Sequence, residues 1–114
     1  MSKNSLSTNQ EMFKGDYLIS NDGNYKAIFQ DDGNFVVYGW KPIWASGSDG
    51  KPGFFLIMQS DGNLVIYDTN NQPLWASNSW HKERTEDNRL TLNNDGCLTI
   101  YRGSQLMWKS SKSS

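Results

Sequence analysis

The sequence predicts an all-β protein made of three similar four-stranded antiparallel sheets arranged about a pseudo-threefold axis. The chain contains three related copies of one sequence unit, and each copy has an Asp-Gly pair between two short alternating runs. Asp-Gly in that context is a strong hairpin signal, because glycine adopts positive φ without strain. A tryptophan follows each copy, and nothing in the chain has a sustained helical period.

The three copies align on their hairpins. They read QDDGNFVVY from Gln30, QSDGNLVIY from Gln59 and NNDGCLTIY from Asn93. The tryptophans that follow the copies are Trp44, Trp75 and Trp108. Three copies are few for an open solenoid, which needs polar caps at both ends. They suit closure about a threefold axis, where the three tryptophans are expected to form part of the core.

We predict a single domain over residues 1–114, with repeats of approximately 12–47, 48–79 and 86–110. A chain of this length can bury a core without disulfides. The charged segment 80–88, WHKERTEDN, has no apolar stripe and is predicted to be a loop inserted before the third repeat. Type I′ turns are expected at the Asp-Gly pairs that begin at residues 22, 32, 61 and 95.

Composition excludes several classes of function. The chain has 11 basic and 12 acidic residues and a net charge of -1, without a basic cluster, so nucleic acid or an anionic membrane is not expected as a partner. No stretch approaches the roughly 18 apolar residues that span a bilayer, and no apolar secretory signal opens the sequence. We therefore expect a protein that is secreted without a signal peptide, into mucus or onto a cell surface, or that is cytoplasmic. Cys97 is the only cysteine, in an apolar context that favours a buried, inert thiol.

The polar residues recur at every second position of the hairpins. Side chains alternate faces along a strand, so Phe35 and Val37 are expected in the core, whereas Asn34, Val36 and Tyr38 point outward. The side chains of the second copy are expected to alternate between the core and the outer face in the same way. Carboxylate, amide and phenol groups beside a small apolar surface are what a sugar ring requires. Turn chemistry alone would explain the Asp-Gly-Asn stretch, but not the recurring Gln, Val and Tyr.

Sites of other kinds fit poorly. An EF-hand calcium loop needs Gly at its sixth position and Glu at its twelfth, and loops that start at Asp31 or Asp32 have neither. These adjacent aspartates diverge, so they do not form a catalytic carboxylate pair. His81 is the only histidine and is expected at the surface, and zinc ligands are too few. We expect no enzyme activity, metal or cofactor. Trp40 and Trp80 lie outside the repeat pattern and are candidates for stacking on a ligand.

The pattern Gln-x-Asp-x-Asn-x-Val-x-Tyr resembles the signature of the bulb-type, or monocot mannose-binding, lectins. It is complete twice, and the segments PIWAS and PLWAS follow the two copies. The first pentad is Gln30, Asp32, Asn34, Val36 and Tyr38. The second pentad is Gln59, Asp61, Asn63, Val65 and Tyr67. The resemblance covers nearly the whole chain and implies a β-prism II fold with one metal-independent carbohydrate site on each sheet.

The resemblance also implies a role for each residue of the pentad. Asp32 and Asn34 are expected to hold the axial 2-hydroxyl of mannose, which distinguishes mannose from glucose. Gln30 is expected to bind the 3-hydroxyl and Tyr38 the 4-hydroxyl, while Val36 packs on the ring carbons. The second pentad is expected to bind a second mannose in the same way.

The third copy departs from the pattern. Asp95 and Tyr101 are retained, but Asn93 stands for Gln, Cys97 for Asn and Thr99 for Val. A shorter amide and a lost donor would leave sugar hydroxyls unpaired. We therefore expect the third site to be weak or inactive.

Two further features follow from the resemblance. Plant members usually carry a disulfide at positions that align here with Gly33 and Phe54, and its absence makes the chain similar to the lily-type lectins of fish skin and gill mucus. Plant members often dimerise by exchanging the strand that carries the third tryptophan. The segment QLMWKSS could form such a homodimer.

Two functions are therefore considered. The first is a lectin for mannose and high-mannose glycans, acting in surface or mucosal defence by binding or agglutinating microbes or parasites. The alternative is a scaffold that has lost sugar binding and acts as a protein-interaction module. Decay should scatter substitutions over all the copies, and two copies are intact, so the lectin is favoured.

Overall fold

A computed structural model describes residues 3–110 of the protein, and this part of the chain contains twelve short β-strands. In chain order they are β1 (Ser5–Ser7), β2 (Glu11–Phe13), β3 (Tyr17–Ile19), β4 (Lys26–Phe29), β5 (Phe35–Tyr38), β6 (Pro42–Ala45), β7 (Phe55–Met58), β8 (Leu64–Tyr67), β9 (Pro73–Ala76), β10 (Asn88–Leu92), β11 (Leu98–Arg102) and β12 (Gln105–Lys109). They form three four-stranded antiparallel sheets, which confirms the predicted fold class. No helix among residues 3–110 is long and apolar enough to cross a bilayer.

The sheets are not three consecutive stretches of chain. The first sheet has the order β3-β4-β5-β6, the second β2-β7-β8-β9 and the third β1-β10-β11-β12. Glu11 in β2 pairs with Ile57, and Ser5 in β1 pairs with Thr91. The repeats at 48–79 and 86–110 therefore supply three strands each, and the N-terminal segment completes both sheets.

The core lies between the inner faces of the three sheets. Phe35 and Val37 are fully buried, as the two-residue alternation predicts, and so are their counterparts Leu64 and Ile66. Trp44, Trp75 and Trp108 pack against this core and contact one another edge to face, with ring centroids 5.6–6.3 Å apart. Such pairs add about 0.5–1.5 kcal/mol each beyond the area they bury. The three tryptophans therefore meet as expected, although each is half-buried against the core rather than fully buried within it.

The Asp-Gly hairpins form, but their turns are not of type I′. In the first, the N–H of Gly33 donates to the carbonyl of Gln30 at 3.0 Å, and the N–H of Gln30 donates to the carbonyl of Asn34 at 2.8 Å. Gly33 has a φ of 88°, whereas Asp32 is not among the residues with positive φ. This is a three-residue loop, a type I turn followed by a left-handed glycine. The prediction of type I′ was wrong because only one residue of the loop needs positive φ.

Candidate functional site

The two pentads lie on the outer faces of the hairpins β4–β5 and β7–β8. In each, the Gln follows the first strand, the Asp lies in the turn, and the Val and Tyr belong to the second strand. The pairing register shifts between Val37 and Tyr38, and again between Ile66 and Tyr67. Such an irregularity re-aims the side chain beside it. The structure thus brings each pentad together on one face, at the same place in two sheets.

Hydrogen bonds link the polar members of the first pentad in a chain. The hydroxyl of Tyr38 donates to Oε1 of Gln30. The Nε2 of Gln30 donates to both carboxylate oxygens of Asp32, at 3.2 Å each, and the backbone N–H of Asn34 donates to Oδ1 of Asp32 at 3.0 Å. Because Oε1 of Gln30 accepts from the tyrosine, the amide orientation is fixed and the phenol oxygen keeps its acceptor capacity for a ligand.

The second pentad has the same arrangement. The hydroxyl of Tyr67 donates to Oε1 of Gln59, and Nε2 of Gln59 donates to Oδ1 of Asp61 at 3.1 Å. The N–H of Asn63 donates to the same carboxylate oxygen at 3.0 Å. Asp32 is exposed, whereas Asp61 is half-buried. The two sites therefore share their hydrogen bonding but differ in solvent access.

Serines that directly follow the last strand of the first and second sheets orient the asparagines. Oδ1 of Asn34 accepts from Oγ of Ser46 at 3.0 Å and from the N–H groups of Gly47 and Ser48 at 3.0 and 3.2 Å. Oδ1 of Asn63 likewise accepts from Oγ of Ser77 at 3.2 Å and from the N–H of Ser79 at 3.3 Å. With its oxygen held, each amide presents its Nδ2 as a donor to a ligand.

Sequence reasoning missed these serines. The signal was present, since Trp-Ala-Ser-x-Ser follows both intact pentads as WASGS and WASNS. The second serine of each motif also stabilises the turn. Oγ of Ser48 donates to the carbonyl of Gly33 at 2.8 Å, and Oγ of Ser79 donates to the carbonyl of Gly62 at 2.7 Å.

The valines of the pentads offer a ligand little surface. Val36 is 3% exposed and Val65 is 2% exposed. Val36 lies between its cross-strand neighbours Ile28 and Ala45, which point to the same face. The expected contact of valine with sugar ring carbons is therefore limited to the floor of each site.

The glycine of each turn lies against a neighbouring loop. A Cβ on Gly33 would stand 2.4 Å from the carbonyl oxygen of Lys51, so no other residue fits there without a shift. The residue that faces Gly33 is Gly53, whose Cβ position lies 3.5 Å from the Gly33 Cα. Phe54, the other position that aligns with the plant disulfide, is half-exposed beside Phe13.

The charged loop 80–87 closes over the turn of the second site. The N–H of His81 donates to the carbonyl of Asp61 at 2.6 Å, and the N–H of Thr85 donates to the carbonyl of Ser60 at 3.0 Å. The side chain of Asn88 is 2% exposed. Its Nδ2 donates to the loop carbonyl of Thr85 and to the turn carbonyls of Ser60 and Gln59, at 2.9–3.3 Å, and so links the loop to the turn.

The third copy has a different network. Nδ2 of Asn93 donates to Oγ1 of Thr99 and to the carbonyl of Cys97, both at 3.0 Å. No hydrogen bond between Asn93 and Tyr101 exists among the described residues, and Tyr101 is 40% exposed. Asp95 accepts from the N–H of Cys97 at 2.9 Å, as its counterparts do. The chain of bonds from tyrosine to aspartate is thus broken here.

Cys97 occupies the place of the asparagine in the third copy. Its thiol is half-buried rather than fully buried, and Oγ of Ser110, the counterpart of Ser46, lies 3.7 Å from its Sγ. A cleft of about 280 Å³ opens beside it. Its lining residues are Ile43, Trp44, Asp95, Gly96, Cys97 and Ser110.

The two tryptophans outside the repeat pattern are both exposed. Trp40 lies in the turn between β5 and β6 and is fully exposed, while Trp80 follows Ser79 and is 62% exposed. Neither ring contacts another aromatic ring of the described residues.

Comparisons with known proteins give one consistent result. The chain is 47% identical over 109 residues to the B-type lectin plumieribetin of Scorpaena plumieri, covering 96% of each chain. It is 43% identical over 73 residues to the mannose-specific lectin of Galanthus nivalis, which corresponds to 62% of this chain and 45% of that protein. The chain thus spans about half the length of that plant relative. No protein-family model matches the chain.

Solved structures agree with the sequence comparison. A monomeric monocot mannose-binding lectin from Gastrodia elata superposes with a TM-score of 0.86 and 34% identity, covering 98% of this chain and 100% of that one. The snowdrop agglutinin complexed with methyl-α-D-mannoside superposes with a TM-score of 0.77 and 37% identity, covering 87% of this chain and 89% of that one.

These neighbours are β-prism II lectins, which bind carbohydrate without acting on it as enzymes, so both the fold and the non-enzymatic character predicted from sequence are confirmed. The identity to plumieribetin extends over nearly the full length of both chains. The chain belongs to the B-type lectins, the family of the bulb and monocot mannose-binding lectins.

Proposed function

We propose that the protein is a mannose-specific lectin with two competent sites, formed by the first and second pentads, and that binding needs no metal. The observation that carries the proposal is the fixed orientation of the two asparagine amides. In each pentad the protein occupies the amide oxygen, which leaves Nδ2 as the group that can donate to a ligand, and the backbone N–H of the same asparagine bonds to an Asp carboxylate oxygen. A donor next to an acceptor matches one hydroxyl group, which both accepts and donates.

The remaining groups fit a row of sugar hydroxyls. In the proposed complex Asp32 and Asn34 bind the axial 2-hydroxyl, Gln30 binds the 3-hydroxyl and Tyr38 binds the 4-hydroxyl. Glucose carries its 2-hydroxyl equatorially and would leave the amide donor unpaired. An unpaired polar group at such a site costs about 1–3 kcal/mol, which corresponds to a selectivity for mannose of about fivefold or more.

Each site is shallow, and its groups exchange bonds to water for bonds to sugar, so a single site is expected to bind weakly. Two sites on different sheets act together on a surface that carries many mannose residues. The proposed biological role is therefore binding or agglutination of microbes or parasites at a mucus or cell surface. A homodimer formed through β12 would double the number of competent sites from two to four, although β12 pairs with β11 of its own chain in this structure.

Titration calorimetry in the presence of EDTA tests the proposal. Methyl α-mannoside is compared with methyl α-glucoside on the wild type, on Asn34→Ala combined with Asn63→Ala, and on Asn70→Ala. Asn70 is an exposed turn asparagine whose side chain makes none of the hydrogen bonds described, so it controls for loss of an amide. Heat with mannoside only, retained in Asn70→Ala and lost in the double variant, is the expected result.

The scaffold alternative predicts a different outcome. No heat with either sugar at millimolar concentration, both with and without EDTA, would overturn the lectin proposal. A metal requirement would appear as loss of mannoside binding when EDTA is added, and would overturn the metal-independent part alone.

A further inference from the structure

The second site continues into a row of aromatic rings. Cross-strand pairing places Phe55 beside Tyr67, and Phe13 beside Phe55. The rings of Phe55 and Tyr67 are stacked, with centroids 5.4 Å apart and planes at 27°. Phe54 closes the group, 5.8 Å from Phe13 and 6.0 Å from Phe55. We call these four residues the aromatic row.

The row is open to solvent at its far end. Phe13 is 45% exposed and Phe54 is 47% exposed. Strands lie about 4.8 Å apart, so the row extends about 10 Å from Tyr67, over two strand spacings. Tyr67 also donates to Gln59, so the apolar surface begins where the polar pentad ends.

The other two sheets carry a cation at the equivalent place. Lys26 pairs with Tyr38 in the first sheet, and Arg89 pairs with Tyr101 in the third. The ammonium of Lys26 lies 4.2 Å from the centroid of the Tyr17 ring. The three sites therefore differ in the residue that adjoins their tyrosine, which is lysine, phenylalanine or arginine.

We infer that the aromatic row is a subsite for a second sugar ring, one that is linked to the mannose bound by the second pentad. A pyranose ring presents C–H groups on its faces, and aromatic faces carry the negative potential that attracts them. Continuity with Tyr67 places this surface next to a sugar in the pentad. The inference rests on the proposed function, because it needs a mannose in the second site.

The size of the exposed surface favours a sugar over a second protein chain. An aromatic side chain offers about 150–250 Å² in all, so two half-exposed phenylalanines present about 200 Å² together. A stable protein interface takes about 800 Å² from each partner. The row is too small for that and suits one ring.

Titration followed by ¹H–¹⁵N NMR tests the inference, because it reads the two sites separately through the amides of Asn34 and Asn63. The measured quantity is the affinity for mannobiosides of different linkage divided by the affinity for methyl α-mannoside. In the wild type this ratio is expected to be about threefold to tenfold higher at the second site than at the first for at least one linkage, which is the size of one aromatic contact.

Three variants locate the effect. Phe54→Ser, outside any strand, and Phe13→Ser are each expected to lower the ratio at the second site towards that of the first. Phe55→Lys gives the second site the residue of the first and is expected to do the same. A dispersed amide spectrum is the criterion that a variant is folded. If Phe13→Ser prevents folding because Phe13 lies in the three-residue strand β2, Phe54→Ser alone still decides the test.

The outcomes separate the inference from the proposed function. Equal ratios at both sites for every linkage, or a ratio that Phe54→Ser leaves unchanged, would overturn the subsite while leaving mannose binding intact. If Phe54→Ser changes the sedimentation coefficient of the protein but leaves the affinity ratio unchanged, the aromatic row is a contact between copies of the chain. That result would also overturn the subsite. Absence of methyl α-mannoside binding at both sites would overturn the proposed function and the inference with it.

Discussion

The hydroxyl of Tyr38 donates to the amide oxygen of Gln30, and this bond determines which end of the amide faces Asp32. The amide nitrogen then donates to the carboxylate, and the carboxylate accepts from the backbone of Asn34. Three side chains of the pentad are thus set in position by one another before a ligand arrives. A binding site arranged in this way loses less conformational entropy when it binds.

Replacing the glutamine by glutamate tests this arrangement. Gln30→Glu combined with Gln59→Glu puts a carboxylate about 3 Å from Asp32 and from Asp61, where Nε2 now donates. Two carboxylates at that distance raise the pKa of one of them. We expect the variant to bind methyl α-mannoside at least tenfold more weakly than the wild type at pH 7.

The same variant has a predicted pH dependence. As the pH falls through the raised pKa, one carboxyl takes up a proton and becomes a donor again, so affinity should recover in part by about pH 5. Calorimetry at both pH values, with the wild type as control, measures the recovery. Wild-type affinity at pH 7 would show that the orientation of the Gln amide does not matter.

The serines should control affinity site by site. Ser46→Ala removes one of three donors to Oδ1 of Asn34, and Ser77→Ala removes the equivalent donor to Asn63. A lost hydrogen bond of this kind costs about 1 kcal/mol, so each variant should weaken its own site by about threefold to tenfold. NMR titration resolves the two sites, and each variant is the control for the other. Equal weakening of both sites in either variant contradicts the prediction.

The turn glycines should differ in their tolerance of a methyl group. Gly23 and Gly33 both have positive φ, but a Cβ on Gly23 meets nothing within 4 Å, while one on Gly33 lies 2.4 Å from a backbone oxygen. Gly23→Ala should cost about 1 kcal/mol of unfolding free energy from backbone strain alone. Gly33→Ala should cost at least about 1 kcal/mol more, since overpacking adds about 1–3 kcal/mol. Urea denaturation measures both, and equal losses would refute the steric account.

The central tryptophans should contribute strongly to stability. Trp75 contacts both Trp44 and Trp108, so Trp75→Ala removes two ring contacts and leaves a cavity at the axis. We expect a loss of about 3 kcal/mol in unfolding free energy. Trp40→Ala is the matched control, because Trp40 is fully exposed and surface changes usually stay within about 0.5 kcal/mol. Similar losses in the two variants would place Trp75 outside the core.

The third site should be recoverable. Asn93→Gln, Cys97→Asn and Thr99→Val together restore the pentad around Asp95 and Tyr101. Oγ of Ser110 donates to Sγ of Cys97 at 3.7 Å, and Cys97→Asn would offer it an amide oxygen instead, as Asn34 offers Ser46. Ser110 also accepts from the N–H of Leu98 at 2.9 Å, as Ser46 does from that of Phe35 at 3.0 Å. The triple variant should bind three methyl α-mannosides per chain, against the two proposed for the wild type. Calorimetry measures the stoichiometry, and an unchanged value would contradict the prediction.

Local patterns made much of this molecule predictable. The Asp-Gly hairpins and the burial of Phe35 and Val37 follow from residues within ten positions of one another, so the sequence alone indicates them. The near-complete burial of Val36 does not follow, because alternation gives the face of a side chain but not its neighbours. Ile28 and Ala45 flank Val36 only after three strands have paired.

Features that depend on contacts between distant segments of the chain were not predicted, because a local pattern does not identify the partner. Strands β1 and β2 have three residues each, too few to show a period of two, and their partners lie far away in the sequence. The role of the serines likewise depends on a neighbouring strand, since Ser46 reaches Asn34 across the β5–β6 pair. The recurrence of WASGS and WASNS marked these residues, but recurrence does not specify the bond that they make.

The placement of β1 has a consequence for synthesis on the ribosome. Leu6, which is fully buried, is translated 84 residues before its cross-strand partner Leu90 (90 − 6). Next to Leu6, the hydroxyl of Ser5 accepts a hydrogen bond from the guanidinium of Arg89, which is also 84 positions later in the chain. Non-local pairing of this kind slows folding. Strand β1 must therefore remain unpaired until β10 has been translated, and the third sheet cannot close before that point.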